Sequence, residues 1–330
     1  MVKRVKDDYL ESYRGLIENA WYLKEGFQAP DVLEVRAYVG HSFEVLENLL
    51  LIEKNLRLLE KDKSEVLDLN FYKSLLNVIG ANFLIQEFFP LSSFSPYIDV
   101  FLKNTSDMCS KTNLEILNGL KLALDESDFK KCVISMRKKD REKQVQLSRY
   151  INSLFVFYPS LLVIDLDLSY AEEWDYNLAE ESIKIKNIES TQNERNELIT
   201  QLKKKYKKEL VGYIWKLDYS IEKNFYYNLM LFLDGQKYQN DVEIAEGIGN
   251  QWKSITEAKG LYLSKNKHKC HGVGLIQNYE VEKRKNLLKN VLYLVKTDYF
   301  IKMKLKTESG NKVHTFDRGQ VPKRIQPKIS

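Results

Sequence analysis

The sequence has few cysteines and lacks long apolar runs. Its three cysteines, Cys109, Cys132 and Cys270, are scattered and odd in number, which argues against a disulfide framework and suits a reducing compartment. No apolar stretch approaches the ~20 residues that a transmembrane helix requires. The first fifteen residues include basic side chains but no apolar segment after them, so we expect no secretory signal. These absences predict a cytoplasmic protein that does not contact a membrane.

Common nucleotide-binding and hydrolase motifs are also missing. The sequence contains no Walker A loop, no dinucleotide fingerprint, no Gly-x-Ser-x-Gly elbow and no His-Glu-x-x-His motif. The segment HKCH places His268, Cys270 and His271 close together, which resembles the spacing of a metal site. Because a structural zinc site needs ligands from a second cluster, we interpret this segment as a basic loop.

The sequence does contain enough apolar residues for a core, together with an uneven charge distribution. Hydrophobic residues make up 44% and charged residues 29% of its 330 residues, as in folded globular proteins. Residues 1–150 hold 22 Lys and Arg against 23 Asp and Glu, whereas residues 151–330 hold 29 against 23. A basic half beside a neutral half is expected where one half contacts phosphates. Ordinary solvated surface gives the same pattern.

The sequence of the first half predicts helices joined by short loops. Apolar residues recur at helical spacing over residues 35–60 and 112–124. The segment FFPLSSFSPYID, with its two prolines, is interpreted as a break between helices. A long charged helix is predicted from residue 128 to a point before Pro159. We place a domain boundary near residue 150, with this helix as the bridge.

The second half predicts strands alternating with helices. The predicted elements, in chain order, are a strand over 160–170, a helix over 190–209, a hairpin of strands over 210–220 and 226–235, a helix over 240–260, a short strand within 271–280, a helix over 282–300 and a last strand in YFIKMKL. This order is close to the split βαβ, ferredoxin-like plan, in which helices cover one face of an antiparallel sheet. We therefore predict an α+β protein with a helical domain over 1–150 and a sheet domain over 151–330.

Basic residues suited to phosphate contact lie in three segments of the second half. They are a lysine run at the end of the predicted helix 190–209, the basic loop around HKCH, and the tail NKVHTFDRGQVPKRIQPK, which is predicted to be irregular. The candidate nucleic-acid contacts are Lys203, Lys204, Lys205, Lys207, Lys208, Lys267, Lys269, Arg318, Lys323 and Arg324. A lysine run at a helix end also suits solvent and the helix dipole.

Five residues of the second half suggest chemistry at a phosphate. Tyr226 and Asn228 stand two apart in a predicted strand, which places them on one face. Asp218 lies on the preceding strand near the open end of the hairpin. Tyr293 and Lys296 are three apart and share a helical face. A tyrosine that attacks phosphorus needs positive charge from a lysine or metal, so this set suits cutting a DNA strand and holding its end as a phosphotyrosine.

Several stretches from about residue 144 onward resemble the YagK/YfjJ C-terminal domain family, which comprises phage and prophage proteins related to inovirus replication proteins. They are SLLVIDLDLSY, VGYIWKLDY, the strand ending LMLFLDG, GVGLIQ, YLVKTDYF and TFDRGQVPK. The resemblance implies a relationship to the HUH endonucleases, the rolling-circle replication initiators. In that group a His-x-His pair holds a divalent metal, and a Tyr-x-x-Lys motif supplies the nucleophile.

The resemblance assigns Tyr293 and Lys296 to the catalytic helix, but it places Tyr226 and Asn228 at the two histidine positions. A phenol is a poor metal ligand at neutral pH, and an amide oxygen coordinates Mg²⁺ best beside carboxylates. Asp218, Asn228 and Asp167 would form at best a weak site for Mg²⁺ or Mn²⁺. Asp165, which stands where the family has a basic residue, is a further possible ligand. We expect nicking to be weak or lost.

The resulting expectation is a phage- or prophage-type, Rep-like protein that binds single-stranded or hairpin DNA on an open sheet face, with lysines on phosphates and tyrosines stacking on bases. One alternative is an active nickase, an HUH-type endonuclease that uses Tyr293 and a rebuilt metal site. Another is an interaction protein in regulation or phage defence, whose helical half binds a phage or host protein and whose Rep-like half is a scaffold.

Overall fold

The structure is a computed structural model, and it describes only part of the chain. The described residues are 48–49, 51–61, 85, 89, 91–106, 110–171, 188–220, 224–267, 270–305 and 312–321. Within them the protein consists of helices and antiparallel strands, which confirms the predicted α+β class. Part of the helix predicted over 35–60 lies outside the described residues, and residues 51–61 are helical.

Between residues 91 and 157, the described residues form a short strand and three helices. They are β1 (Ser92–Phe94), α1 (Pro96–Thr105), α2 (Asn113–Asp125) and α3 (Ser127–Phe157). Helix α1 begins where the Ser95 side chain accepts a hydrogen bond from the backbone N–H of Ile98, with proline at the first helical position. Helix α2 begins with a capping box formed by Thr112 and Glu115. Helix α3 ends before Pro159, as predicted.

The described residues from 160 onward include the six strands of the main sheet and three further helices. The elements are β2 (Ser160–Tyr170), α4 (Ile188–Tyr206), β3 (Leu210–Ser220), β4 (Asn224–Asp234), α5 (Asp241–Ile255), β5 (Gly260–Ser264), β6 (Gly274–Gln277), α6 (Val281–Lys296) and β8 (Phe316–Arg318). The strand order is β5-β2-β4-β3-β8, with β6 also paired to β2, and every pairing is antiparallel. Strand β2 is therefore central, which agrees with the burial of all its residues. The finer ferredoxin-like comparison stays a prediction.

Three short strands, β1, β5 and β8, were not predicted. The segment FFPLSSFSPYID contains β1, and its partner is β7 (Ile301–Met303), the strand predicted in YFIKMKL, so the two form a separate two-stranded sheet. The tail was expected to be irregular, but Phe316–Arg318 forms edge strand β8 against β3. That expectation was wrong for these three residues because a polar edge strand of this length has no diagnostic apolar alternation.

The two faces of the main sheet have different surroundings. On one face, Trp252 of α5 donates its indole N–H to the carbonyl of Ser169, and the Tyr227 hydroxyl donates to the carbonyl of Thr191 in α4. On the other face, Tyr150 of α3 packs edge-on against Phe232, and its hydroxyl accepts the N–H of Tyr213. Helices therefore contact both faces, and the second face is less open than the sequence predicted.

The Cα positions divide the chain into two compact units. One consists of Met1–Lys143 and Val295–Lys304, and the other of Gln144–Leu294 and Leu305–Ser330. The first contains the two-stranded sheet, and the second contains the main sheet. The predicted domain bounds, 1–150 and 151–330, stay a prediction. Among the described helices, none combines the length and apolar character of a membrane-spanning segment.

Candidate functional site

Strand alternation places a set of polar residues on the face of the main sheet opposite α4 and α5. Asn228 of β4 pairs with Asp167 of β2 on one side and with Lys216 of β3 on the other. Since residues two apart share a face, their neighbours point the same way. We call this set, with the lysine that follows β5, the polar face: Asp165, Asp167, Lys216, Asp218, Tyr226, Asn228 and Lys265. Tyr226 and Asn228 thus share a face, as their spacing predicted, and Asp218 and Asp167 lie on the same face.

The two aspartates of β2 are bound to a lysine that was not predicted. The Lys265 ammonium lies 3.0 Å from Oδ1 of Asp165 and 3.3 Å from Oδ1 of Asp167. The Asp165 side chain is 2% exposed and that of Lys265 is 22% exposed. Burial raises the pKa of Asp165, with Lys265 opposing the shift. Burial acts to lower the pKa of Lys265, but the two carboxylates outweigh it and raise that pKa above its ordinary value, so the lysine is charged.

The backbone around Lys265 is held by several hydrogen bonds. Its N–H donates to the carbonyl of Asp165, and its carbonyl accepts from the N–H of Cys270. The buried Asn266 side chain accepts from the N–H of Asp165 and donates to the carbonyl of Val163 at 2.8 Å. It also donates to Oδ2 of Asp241. These bonds hold the backbone of Lys265 beside β2, so that its side chain starts close to the two aspartates.

The aspartate of β3 has two donors of its own. The Lys216 ammonium lies 3.0 Å from Oδ1 of Asp218, and the side-chain nitrogen of Asn228 donates to Oδ2 at 3.2 Å. Lys216 is buried, with its side chain 5% exposed. Tyr226 stands directly opposite Asp218 in the hairpin and is half-buried. Both carboxylate oxygens of Asp218 thus have partners within the sheet.

These contacts do not fit a divalent metal ion, which takes several oxygen ligands at short range. The three aspartates of the polar face already accept from Lys265, Lys216 and Asn228. Within the described residues, no group of three or more His, Cys, Asp or Glu side chains is arranged to hold a metal. The site of Asp167, Asp218 and Asn228 for Mg²⁺ or Mn²⁺ stays a prediction, and the ion pairs argue against it. Of the HKCH segment, His268 and Lys269 lie outside the described residues.

Tyr293 and Lys296 lie in the last turn of α6, as predicted for a shared helical face. The helix buries an apolar stripe of Leu287, Val291, Leu294 and Val295. Tyr293 and Lys296 flank this stripe and are half-buried. Their catalytic roles stay predictions.

All five lysines of the run at the end of α4 and in the turn after it are exposed, and we call them the basic ridge: Lys203, Lys204, Lys205, Lys207 and Lys208. The ammonium of Lys203 lies 5.0 Å from the ring centroid of Tyr213, and that of Lys205 lies 5.2 Å from the ring centroid of Tyr206, which is cation–π range. Lys207 starts a 3-10 turn with a φ of +50°, a left-handed conformation that glycine favours.

The other predicted nucleic-acid contacts differ in exposure and in their partners. Lys267 is exposed, and its ammonium lies 3.8 Å from Glu246. Arg318 in β8 is half-buried with its guanidinium 4.8 Å from the Tyr150 ring centroid, and it donates to the carbonyl of Gly319. Arg318 therefore packs within the fold more than it projects to a ligand. Lys269, Lys323 and Arg324 lie outside the described residues.

Three basic residues were missed by sequence reasoning. Lys216 and Lys265 complete the polar face, and Arg195 of α4 is buried with its guanidinium 3.9 Å from the Trp215 ring centroid. Lys216 had a signal, since it interrupts the apolar strand pattern VGYIWKLDY, and a lysine buried in a strand needs a partner. Lys265 gave no such signal in the sequence, because its partners are about one hundred residues away.

Comparison with known proteins identifies the family of this chain. The comparison with curated proteins gave no significant match, and the comparison with solved structures gave none either. The family model of the YagK/YfjJ C-terminal domain matches residues 125–316, a span that contains α3, most of the main sheet and every residue of the polar face. Such a match fits a phage- or prophage-associated protein. Because the matched span is more than half of the chain, this protein belongs to the YagK/YfjJ C-terminal domain family.

Proposed function

We propose that this chain is a cytoplasmic, phage- or prophage-type DNA-binding protein with a Rep-like domain whose strand-nicking activity is weak or lost. The observation that carries the proposal is that the aspartates of the polar face are bound to lysines of the same face. Cleavage of a phosphodiester gains several kcal/mol of transition-state stabilisation from a metal that polarises the phosphate. Carboxylates already paired with ammonium groups are poorly placed to recruit that metal.

The charge of the two candidate surfaces favours the basic ridge as the DNA contact. The polar face carries three carboxylates against two ammonium groups, a formal charge of −1, and its charged side chains are largely buried. The basic ridge carries five exposed lysines. A phosphate backbone is attracted to the second surface and not to the first. Single-stranded or hairpin DNA bound along the ridge would also lie close to Tyr206 and Tyr213.

The proposal predicts how steeply the affinity for DNA falls with salt concentration. Each neutralised phosphate of a single strand lowers the slope of log K against log salt by about 0.7. If all five ridge lysines contact phosphates, the slope is roughly −3.5, and affinity falls about one hundredfold for a fourfold rise in salt. A protein-binding scaffold without a DNA interface has no such dependence.

The test uses labelled single-stranded and hairpin DNA, with and without Mn²⁺ and Mg²⁺, on native and denaturing gels. We expect a salt-sensitive mobility shift and no covalent protein–DNA band. Replacing the five ridge lysines by glutamine should abolish the shift. A matched control replaces five exposed lysines of the first unit and should keep the shift: Lys111, Lys130, Lys131, Lys138 and Lys139.

Two outcomes would contradict the proposal. A metal-dependent covalent band that disappears in Tyr293→Phe would mean that nicking is retained and that Tyr293 is the nucleophile. Absence of any salt-sensitive binding, or equal loss in the ridge variant and its control, would remove the DNA-binding assignment. The second result would direct attention to a protein partner of the helical half.

A further inference from the structure

We propose that Lys265 is the resident cation of the polar face: its ammonium occupies the place between Asp165 and Asp167 that a divalent ion would take, and truncating it opens a site for Mn²⁺. The inference concerns the protein's affinity for cations. It does not depend on whether the chain binds DNA.

The arrangement of oxygen atoms around the ammonium resembles a cation site. Asp165 and Asp167 are two apart on β2, so both carboxylates point to one side, and Oδ1 of each lies within 3.3 Å of the Lys265 nitrogen. Asn228 stands opposite Asp167 across the strand pair. Two carboxylates with an amide and water are a common ligand set for Mg²⁺ and Mn²⁺. One ammonium between two acidic groups takes the position of that ion.

The lysine is built into this place by the fold. Its N–H and carbonyl both have backbone partners, Asp165 and Cys270, and the adjacent Asn266 is tied to β2 and to Asp241. A substitution at position 265 therefore changes the side chain while these contacts keep the turn after β5 beside β2, the strand that carries both aspartates.

Removal of the ammonium leaves an unbalanced pair of acidic groups. The side chains of Asp165 and Asp167 are 2% and 8% exposed, and two buried carboxylates without a cation strongly favour binding one. The Lys265 side chain is 22% exposed, so its truncation leaves a path from solvent to the carboxylates. A dication entering by this path would restore the charge balance.

An ion pair that serves packing alone makes a different prediction. It would leave a truncated variant destabilised whatever cation is present. A resident cation, in contrast, can be replaced in function by a metal ion. Rescue of stability by Mn²⁺ therefore separates the two roles.

The experiment measures thermal unfolding of the full chain and of Lys265→Ala, each with a chelator and with saturating Mn²⁺. We expect no Mn²⁺-dependent shift in the unsubstituted protein. The variant should gain roughly 2–5 °C with Mn²⁺, and Lys265→Ala combined with Asp167→Asn should lose this gain. The control, Lys267→Ala, removes an exposed lysine two residues away and should behave like the unsubstituted protein.

Two results would overturn the inference. One is an Mn²⁺-dependent shift in the unsubstituted protein that Asp167→Asn abolishes, since the site would then accept a metal beside Lys265. The other is a folded Lys265→Ala protein that neither gains stability nor binds Mn²⁺ by electron paramagnetic resonance. If Lys265→Ala does not fold, Lys265→Gln gives the same comparison with a side chain of similar size. The DNA gel shift is a separate readout, so its failure would not be confused with either result.

Discussion

Lysines occupy two contrasting settings in this protein. Lys216 in β3 and Lys265, directly after β5, have side chains 5% and 22% exposed and carboxylates about 3 Å away. The five lysines of the basic ridge are exposed at the end of α4. The residue type is the same, but the consequences differ. A buried charge is tolerated because its partner is present, whereas an exposed charge remains available to a phosphate.

The buried lysines should matter for the stability of the fold, and the exposed lysines for nucleic-acid binding. Breaking a buried ion pair leaves an uncompensated charge in a low-dielectric setting, which is strongly destabilising. An exposed lysine contributes little to folding but adds to the field that attracts nucleic acid. The same substitution should therefore lower the free energy of unfolding when it is made at a buried lysine, and lower the affinity for nucleic acid when it is made at an exposed one.

The largest effect is expected from Lys216→Met, which leaves Asp218 without its cation. We expect a loss of about 3 kcal/mol in the free energy of unfolding, at the lower end for a buried pair because Asp218 is 22% exposed. The same substitution on the ridge, Lys204→Met, should change stability by no more than about 0.5 kcal/mol. Urea denaturation measures both values.

A double variant tests whether the loss of stability in Lys216→Met comes from the uncompensated charge of Asp218. Lys216→Met with Asp218→Asn removes both charges and should recover much of the loss, because no uncompensated charge is left. If the single variant is as stable as the unsubstituted protein, the ion pair contributes nothing and the contrast between the two settings fails.

The pH dependence of stability should distinguish Lys265 from the ridge. Its pKa is raised in the folded protein relative to the ordinary value of 10.5. A raised lysine pKa means that the stabilisation is fully present below pH 10.5 and is lost as the pH rises through the folded-state pKa. The stability difference between the unsubstituted protein and Lys265→Met should thus shrink as the pH rises above about 10.5.

Comparing the two proteins removes the contribution of the buried tyrosines, which both share. The equivalent difference for Lys204→Met should stay near zero over the whole range. A difference for Lys265→Met that already disappears near neutral pH would contradict the raised pKa.

Local patterns in the sequence predicted part of this structure, whereas contacts between distant residues were not predictable. Apolar runs in the sequence located β2, β3 and β4, and the spacing of two placed Tyr226 and Asn228 on one face. Such patterns are local and periodic. The pairing of the strands adds Asp167 and Asp218 to that face. The ion pairs of Asp165 and Asp167 join residues about one hundred positions apart, and they depend on β5 lying beside β2. That adjacency has no local signature, so the lysine's role could not be predicted.

A smaller effect is expected at Lys207, where backbone strain and charge can be separated. Its φ of +50° disfavours residues with a Cβ by about 1–2 kcal/mol. Lys207→Gly should relieve the strain and raise stability by about 0.5–1 kcal/mol, after allowing for the greater entropy of the unfolded chain. Lys207→Ala removes the same charge and keeps the strain.

Both substitutions should lower DNA affinity equally, and only the glycine variant should be more stable. Urea denaturation and a DNA titration on the same two proteins provide the comparison. Unequal DNA affinities would show that the backbone conformation at Lys207 matters to binding beyond its charge.

The smallest effect is expected from Lys208→Gln. Loss of one phosphate contact should reduce the magnitude of the salt slope by about 0.7 for single-stranded DNA and lower affinity by the same factor on every sequence, because a phosphate contact carries no base information. Lys216→Met should leave the slope unchanged, since its ammonium is engaged by Asp218 inside the sheet. Titrations at several salt concentrations measure both slopes. Equal slopes for Lys208→Gln and the unsubstituted protein would place the DNA away from the ridge. A reduced slope in Lys216→Met would instead place phosphate on the polar face.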